Sequence, residues 1–240
     1  MKASTLRRHP SIEPSGHGIT LSVLNPAVRY GRTNFPSRVF DPDEVQRVLK
    51  TGHQSRKIGK VVVKGKLRGA PIYTLTLEER ATCPRTCGAW AFCYGNGMQA
   101  AERIVAGPAL EAALWFELAT LNDANPRGFL VRLHVLGDFY SLEYVDLWRR
   151  ALAAFPALHV FGFTARLCEI GDAVRAIAAT DWDRFAIRTS GAAGPIGAAQ
   201  IDGDIDPAAI VCPAQTGATD CCATCALCWS TDRSIGFRRH

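Results

Sequence analysis

Five of the nine cysteines fall in one stretch, Cys212-Pro213 followed by Cys221-Cys222-Ala223-Thr224-Cys225-Ala226-Leu227-Cys228-Trp229. Cys222, Cys225 and Cys228 repeat as C-x-x-C-x-x-C. That spacing suits a tight turn that aims successive sulfurs at one centre. A second group, Cys83, Cys87 and Cys93, lies upstream, and Cys168 stands alone. The chemistry expected of such a chain is metal chemistry.

Disulfides are the competing reading, and they need an oxidising compartment. Residues 1–10 are basic with no apolar stretch behind them, so no secretory signal is expected. Residues 108–121 are interrupted by Glu111 and Glu117, so no membrane span and no membrane partner are expected. The expectation is a cytoplasmic chain whose thiols stay reduced and ligate metal. Two C-x-x-C pairs a dozen or more residues apart would suggest a zinc ribbon, and that layout is absent. A three-cysteine run with a distant Cys-Pro favours one or two iron–sulfur clusters of the four-iron (4Fe-4S) kind, with zinc as the alternative metal. Cys221, adjacent to Cys222, is left out of the ligand set because the three-fold spacing selects Cys222.

At 240 residues, 48% of them apolar, the chain suffices for one large domain with additions. The net charge of +6 is uneven: residues 1–70 hold 14 Lys and Arg against 4 Asp and Glu, and the remainder holds 14 against 18. A basic N-terminal third is a candidate surface for nucleic acid, against the plainer reading of a solvated face. No aromatic-interleaved motif supports RNA readout.

Asp41-Pro42-Asp43-Glu44 has the form of a capping box and predicts a helix closed by Gly52. Residues 60–64 and 72–77 read as strands. A helix is expected from about Gln99, and another from Pro108 to Leu121. Strands follow at 129–136, 158–163, 184–188 and 208–211, with helices at 141–154 and 172–179 between them. Alternating strands and helices imply a parallel sheet. The expected fold is α/β, a partial (β/α) barrel over residues 60–211. Residues 1–59 form a basic N-terminal extension with one helix, and residues 212–240 a C-terminal cysteine-rich metal-binding segment. The unusual residues fall at the C-terminal ends of strands: the Cys83 loop, Gly137-Asp138, Thr164 and Arg166, Ser190, and Cys212. Ligands bind at that edge of α/β sheets. Asp138 either acts in the site or caps the helix at Ser141. Arg166 either clamps an anion or pairs with Glu169 or Asp172. His134, Trp115 and Trp148 read as packing residues, and Cys168 as a buried thiol.

Thr82-Cys83-Pro84, Cys93-Tyr94, Gly137-Asp138-Phe139, Thr164-Ala165-Arg166, Cys212 to Gly217, Cys225 to Trp229 and the closing Ile235 to His240 resemble the phage and prophage family called gene product 88, over about residues 60–240. More distantly, the chain resembles radical S-adenosylmethionine enzymes, which carry a three-cysteine loop after the first barrel strand. Cys83, Cys87 and Cys93 occupy that place, with spacing C-x-x-x-C-x-x-x-x-x-C rather than the usual C-x-x-x-C-x-x-C. Leu136-Gly137-Asp138 stands where that superfamily has a Gly-Gly-Glu-like turn. The resemblance implies an iron–sulfur enzyme with an electron donor and S-adenosylmethionine as a ligand; the phage association and the basic N-terminal third suggest a nucleic-acid or nucleotide substrate. Cys83, Cys87 and Cys93 would hold one cluster, and Cys212, Cys222, Cys225 and Cys228 an auxiliary one. Asp138 and Arg166 are the candidate catalytic residues, and Gly137, Asp138, Thr164, Arg166 and Ser190 the candidate cofactor-binding set. The alternative is a non-catalytic, zinc- or cluster-stabilised protein that binds nucleic acid or a partner.

Overall fold

The computed structural model describes residues 19–55, 57–191, 196–200 and 208–237. The expectations for residues 1–18, for residues 192–195 and for the closing 238–240 lie outside these. A short helix α1 (Pro26–Tyr30) and strands β1 (Val39–Phe40), β2 (Lys50–Thr51) and β3 (Ile72–Thr74) come first. Strand β4 (Arg103–Ile104), helix α2 (Pro108–Ala124), β5 (Phe129–Leu133) and α3 (Leu142–Ala154) follow. Next are β6 (Leu158–Thr164), α4 (Cys168–Thr180), β7 (Phe185–Ser190) and β8 (Gly197–Gln200). The chain closes with β9 (Ile210–Val211), α5 (Cys222–Cys225), α6 (Leu227–Ser230) and β10 (Ile235–Phe237).

Eight strands form one sheet in the order β2-β3-β5-β6-β7-β8-β10-β9. Only β2 runs antiparallel to its neighbour; the other pairings are parallel. The fold is therefore mixed α/β with a mostly parallel sheet, and its strands β3, β5, β6 and β7 end on one edge. Strand residues alternate between the two faces. Phe129, Val131, Leu133, Leu158, Val160, Phe185 and Ile187 pack with the apolar stripes of α2, α3 and α4, among them Leu110, Leu114, Tyr144, Trp148 and Val174. Ile72, Leu130, Phe161 and Ala186 turn the other way and pack with Ile58, Val62, Ala223, Ala226 and Trp229. The cysteine-rich C-terminal segment thus covers the sheet face opposite the helices.

Three local expectations fail for identifiable reasons. The capping box at Asp41 forms, with the Asp41 amide donating to Glu44 at 2.8 Å, but it opens only a 3-10 turn, Pro42–Glu44. The amides of Val48 and Leu49, which a continuing helix would have used, donate instead to the Glu117 carboxylate at 2.7 and 2.9 Å. The segment 60–64 makes a single bridge, Val61 with Pro71, because the Val63 amide turns away to the Ala223 carbonyl. The expected helix from Gln99 is replaced by β4, which pairs in parallel with β1. Strands β8 and β10 escaped the sequence reading. Both are short, and the Gly/Ala content of β8 carries no period-two signal.

Candidate functional site

The first cysteine group sits on a loop that leaves β3 through Glu78-Glu79-Arg80-Ala81-Thr82. Polar side chains that burial would ordinarily exclude hold this loop. The Arg103 guanidinium grips the Glu79 carboxylate at 2.6 and 3.1 Å. Its remaining donors reach the carbonyls of Gly95, Met98 and Ala101. Arg80, in a left-handed backbone conformation at φ +65°, donates to the Trp90 and Arg32 carbonyls and to the Asn96 side chain. Gly95 is required where it stands, because a Cβ there would lie 2.8 Å from the Glu79 carboxylate. The segment ahead of β1, read from sequence as an irregular basic extension, clamps the same loop. Thr33 donates to Glu78 and Glu79, the Trp90 indole donates to the Val28 carbonyl at 3.0 Å, and Asn96 donates to the Ile19 carbonyl at 2.6 Å.

A backbone amide acts on each of the three loop sulfurs, Arg80 on Cys83, Ala89 on Cys87 and Gly95 on Cys93. Such hydrogen bonds favour thiolate, the ligand form. Burial opposes them. It pushes the Cys83 thiol up to about 12, helped by the neighbouring Asp138 carboxylate, and it raises Cys87 and Cys93 as well. Binding a metal ion would require these thiols to give up their protons.

Asp138 sits at the centre of the strand-end edge. Its carboxylate accepts from the Thr164 hydroxyl at 2.7 Å and from the amides of Phe139 and Ala165, both at 2.8 Å. Burial raises its pKa to about 6 in spite of these donors. Arg166 donates to the carbonyls of Phe139 and Thr82, both at 2.5 Å. It pairs with neither Glu169 nor Asp172 among the described residues; Asp172 is paired with Arg175. Thr82, Asp138, Thr164 and Arg166 therefore tie together the loops after β3, β5 and β6. Gly137 makes this possible at φ +87°, where a Cβ would stand 2.6 Å from both Leu77 and Thr82. Ser190 is exposed at the end of β7, and no hydrogen bond joins it to this network among the described residues. The helix cap at 141 is Ser141 itself, accepting from the Tyr144 amide at 3.1 Å.

In the C-terminal group, Cys212, Cys222, Cys225 and Cys228 line one cavity together with Pro213, Ala214, Leu227 and Ile235. Cys222 and Cys228 share a hydrogen bond, which holds Cys222 down to about 7 and pushes Cys228 up. The Leu227 amide is aimed at the Cys225 sulfur. Cys221 is turned elsewhere, 3.6 Å from the Thr224 hydroxyl and against Gly59. Cys168 is exposed rather than buried, because it opens α4 at φ +54°. Among the described residues no group of three or more His, Cys, Asp or Glu side chains has its donor atoms drawn together as a metal ion requires. The donor set nevertheless fits a thiophilic centre in kind, since four thiols line one cavity.

Sequence reasoning missed Glu79, Arg80 and Arg103 around the first loop, and Arg132 and Arg188 beside the C-terminal cysteines. The run Glu78-Glu79-Arg80 directly before Thr82-Cys83 was the available signal for the first set. Comparison with curated proteins and with solved structures finds no match. A family match, Gene product 88, covers residues 47–190. It spans the first cysteine loop and the Asp138 network, starts ahead of residue 60, and stops before Cys212. With 47–190 of its 240 residues matched, the chain belongs to the Gene product 88 family.

Proposed function

We propose that this protein is an iron–sulfur enzyme of the radical S-adenosylmethionine type. In this reading Cys83, Cys87 and Cys93 hold a catalytic four-iron cluster at the strand-end edge, and Cys212, Cys222, Cys225 and Cys228 hold a second centre. One observation carries it: the cysteine loop is pinned, by the buried Glu79–Arg103 pair and by the carbonyls that Arg80 and Arg103 hold, on the edge where the parallel strands end. A surface loop with no chemistry to perform gains little from a charge pair taken out of water. When bound, a four-iron cluster with three thiolate ligands supplies an electron and one open iron to a ligand. The chain's own residues then have positioning tasks. Glu79 and Arg103 set the loop, burial around Cys83 keeps water off, and Asp138 with Arg166 locks the loops after β3, β5 and β6 into one rim. Anaerobic purification with iron, sulfide and zinc counting tests the reading. Iron and sulfide should copurify, and S-adenosylmethionine should perturb the spectrum of the reduced cluster. Zinc without iron, or a reduced cluster indifferent to that ligand, removes the enzyme assignment.

A second reading, a zinc-stabilised protein that binds nucleic acid, is favoured by a different observation. Lys60, Lys64 and Arg68 are exposed on the segment over the C-terminal cysteines, and none forms an ion pair among the described residues. Such a stripe suits a phosphate backbone.

A further inference from the structure

Two guanidinium groups, those of Arg132 and Arg188, lie on the sheet face that carries the C-terminal cysteines and have no carboxylate partner among the described ion pairs. Arg132 leaves β5 between aromatic rings, 4.7 Å from the Phe163 centroid and 5.6 Å from that of Phe161. Phe161 in turn packs on Trp229, the residue after Cys228, at 4.7 Å. Gly162 keeps that space clear, since a Cβ there would come 3.1 Å from Arg132 Nη1. Arg188, in β7, is 0% exposed. It donates to the carbonyls of Thr231 and Arg233, and its Nε has no partner among the described residues.

Arg188 is buried and Arg132 half-buried; a cation held out of water without a counter-charge is costly, so a negative charge near them is favoured. The groups within electrostatic reach are thiols: Cys222 and Cys228 for Arg132, and Cys228 for Arg188, whose one acidic neighbour is the exposed Asp232. Lys57 and Lys64 act on Cys222 and Cys225 from the outer side. Among the described residues, the charged side chains other than thiols that act on these three are cationic. Around the first loop the signs are mixed, with Asp138 acting on Cys83 and Cys87, Glu79 on Cys93, and Arg80 on both Cys87 and Cys93.

We infer that the cavity lined by Cys212, Cys222, Cys225 and Cys228 is built for a tetrathiolate centre of net charge minus two, and that Arg132 and Arg188 are its counter-charges. Four thiolates on a divalent ion leave two negative charges, which the two guanidiniums on the sheet face equal in number, with Lys57 and Lys64 adding positive charge besides. An oxidised four-iron cluster with four thiolates carries the same charge, so the match holds for either occupant. This inference rests on the second centre of the function proposed above and adds to it the residues that set its charge.

Titration of Co(II) into the full-length, metal-free, reduced chain tests it. A Cys87→Ser chain, in which the first loop is disabled, should show the charge-transfer and ligand-field bands of tetrahedral thiolate cobalt, and a Cys87→Ser/Cys225→Ser chain should lose them. Arg132→Gln and Arg188→Gln should each weaken Co(II) binding by roughly tenfold or more, because the dianion loses half its neutralisation. The charge-conserving Arg132→Lys and Arg188→Lys should stay within about threefold of wild type. If Arg188→Gln does not fold, Arg132→Gln decides the question, since its one described hydrogen bond is to the adjacent Leu133 carbonyl. Gln variants that bind as wild type, or Lys variants that lose as much as the Gln variants, overturn the counter-charge role while leaving the centre standing. Thiolate bands that never appear in Cys87→Ser, or that persist in Cys87→Ser/Cys225→Ser, overturn the centre itself. Reconstitution with iron and sulfide distinguishes a cluster from a single ion: a cluster spectrum that requires Cys225 identifies the former.

Discussion

Glu79 and Arg103 meet at 2.6 Å with neither side chain exposed to solvent, and the loop carrying Cys83, Cys87 and Cys93 hangs on that pair. Arg103 spends its other donors on loop carbonyls, so the pair couples the loop's position to the end of β3. Removing one partner leaves the other charge buried and alone, at a cost of about 3–5 kcal/mol. Glu79→Gln should lower the urea midpoint accordingly and make Cys93 react faster with a thiol reagent under native conditions. An unchanged midpoint with unchanged thiol reactivity would show that the pair does not position the loop.

Gly137 and Gly65 separate the cost of backbone conformation from that of space. Both have positive φ, +87° and +79°, but a Cβ at Gly137 would collide with Leu77 and Thr82, whereas nothing lies within 4 Å at Gly65. Gly65→Ala should cost about 1 kcal/mol, the left-handed penalty alone. Gly137→Ala should cost about 1–3 kcal/mol more through overpacking, and it should loosen the Asp138 network. Thermal unfolding of the two variants side by side checks the difference, and equal losses would contradict it.

His134 predicts a pH dependence. Its ring nitrogen lies 3.0 Å from the Tyr144 hydroxyl, and burial, aided by Arg132, pushes its pKa down to about 3. In the unfolded chain the imidazole takes up a proton near pH 6.5. Between those values the unfolded state binds more protons, so stability is full above about pH 6.5 and is lost as pH falls toward 3. His134→Gln retains a hydrogen-bond partner for Tyr144 and removes the titration. Its stability should vary less across that window, by up to a few kcal/mol. Parallel stability–pH curves for the two chains would refute the assignment.

Cys225→Ser should lose the metal content of the C-terminal centre and much of the chain's solubility. Cys168→Ser should change neither, because Cys168 lies exposed at the start of α4. Metal counting on both variants decides, and a Cys225→Ser chain with full metal content takes Cys225 out of the ligand set.

The basic surface is testable with a duplex or single-stranded oligonucleotide. If phosphates are bound, affinity should fall steeply with salt, and replacing Lys60 and Lys64 by Gln should reduce the salt slope by roughly one for each phosphate no longer held. Truncation belongs within residues 1–18, because residues from Ile19 onward clamp the cysteine loop through Asn96, Trp90 and Glu79. No binding at low salt disposes of the polyanion partner.

Much of the framework was legible in the chain itself. Helices α2 and α3 and strands β5, β6 and β7 follow from apolar periodicity and from the punctuation at Pro108 and Ser141, which are local properties. The clustering of Asp138, Thr164 and Arg166 also follows from sequence, because parallel strands bring their C-terminal ends to one edge. The missing helix after Asp41 did not follow, because a carboxylate 68 residues or more away in the chain, Glu117, captured its amides.

The sequence by itself determined where the candidate site residues lie: two cysteine groups, their spacing, and the strand-end positions of the polar residues. Only the tertiary structure decided what surrounds them. It placed Glu79 with Arg103 under one cysteine group and Arg132 with Arg188 beside the other, and it turned Cys221 out of the cavity that Cys212 shares with three partners. Spacing and periodicity act over a few residues, whereas the charge around a thiol is set by whichever side chains folding brings into its low-dielectric surroundings.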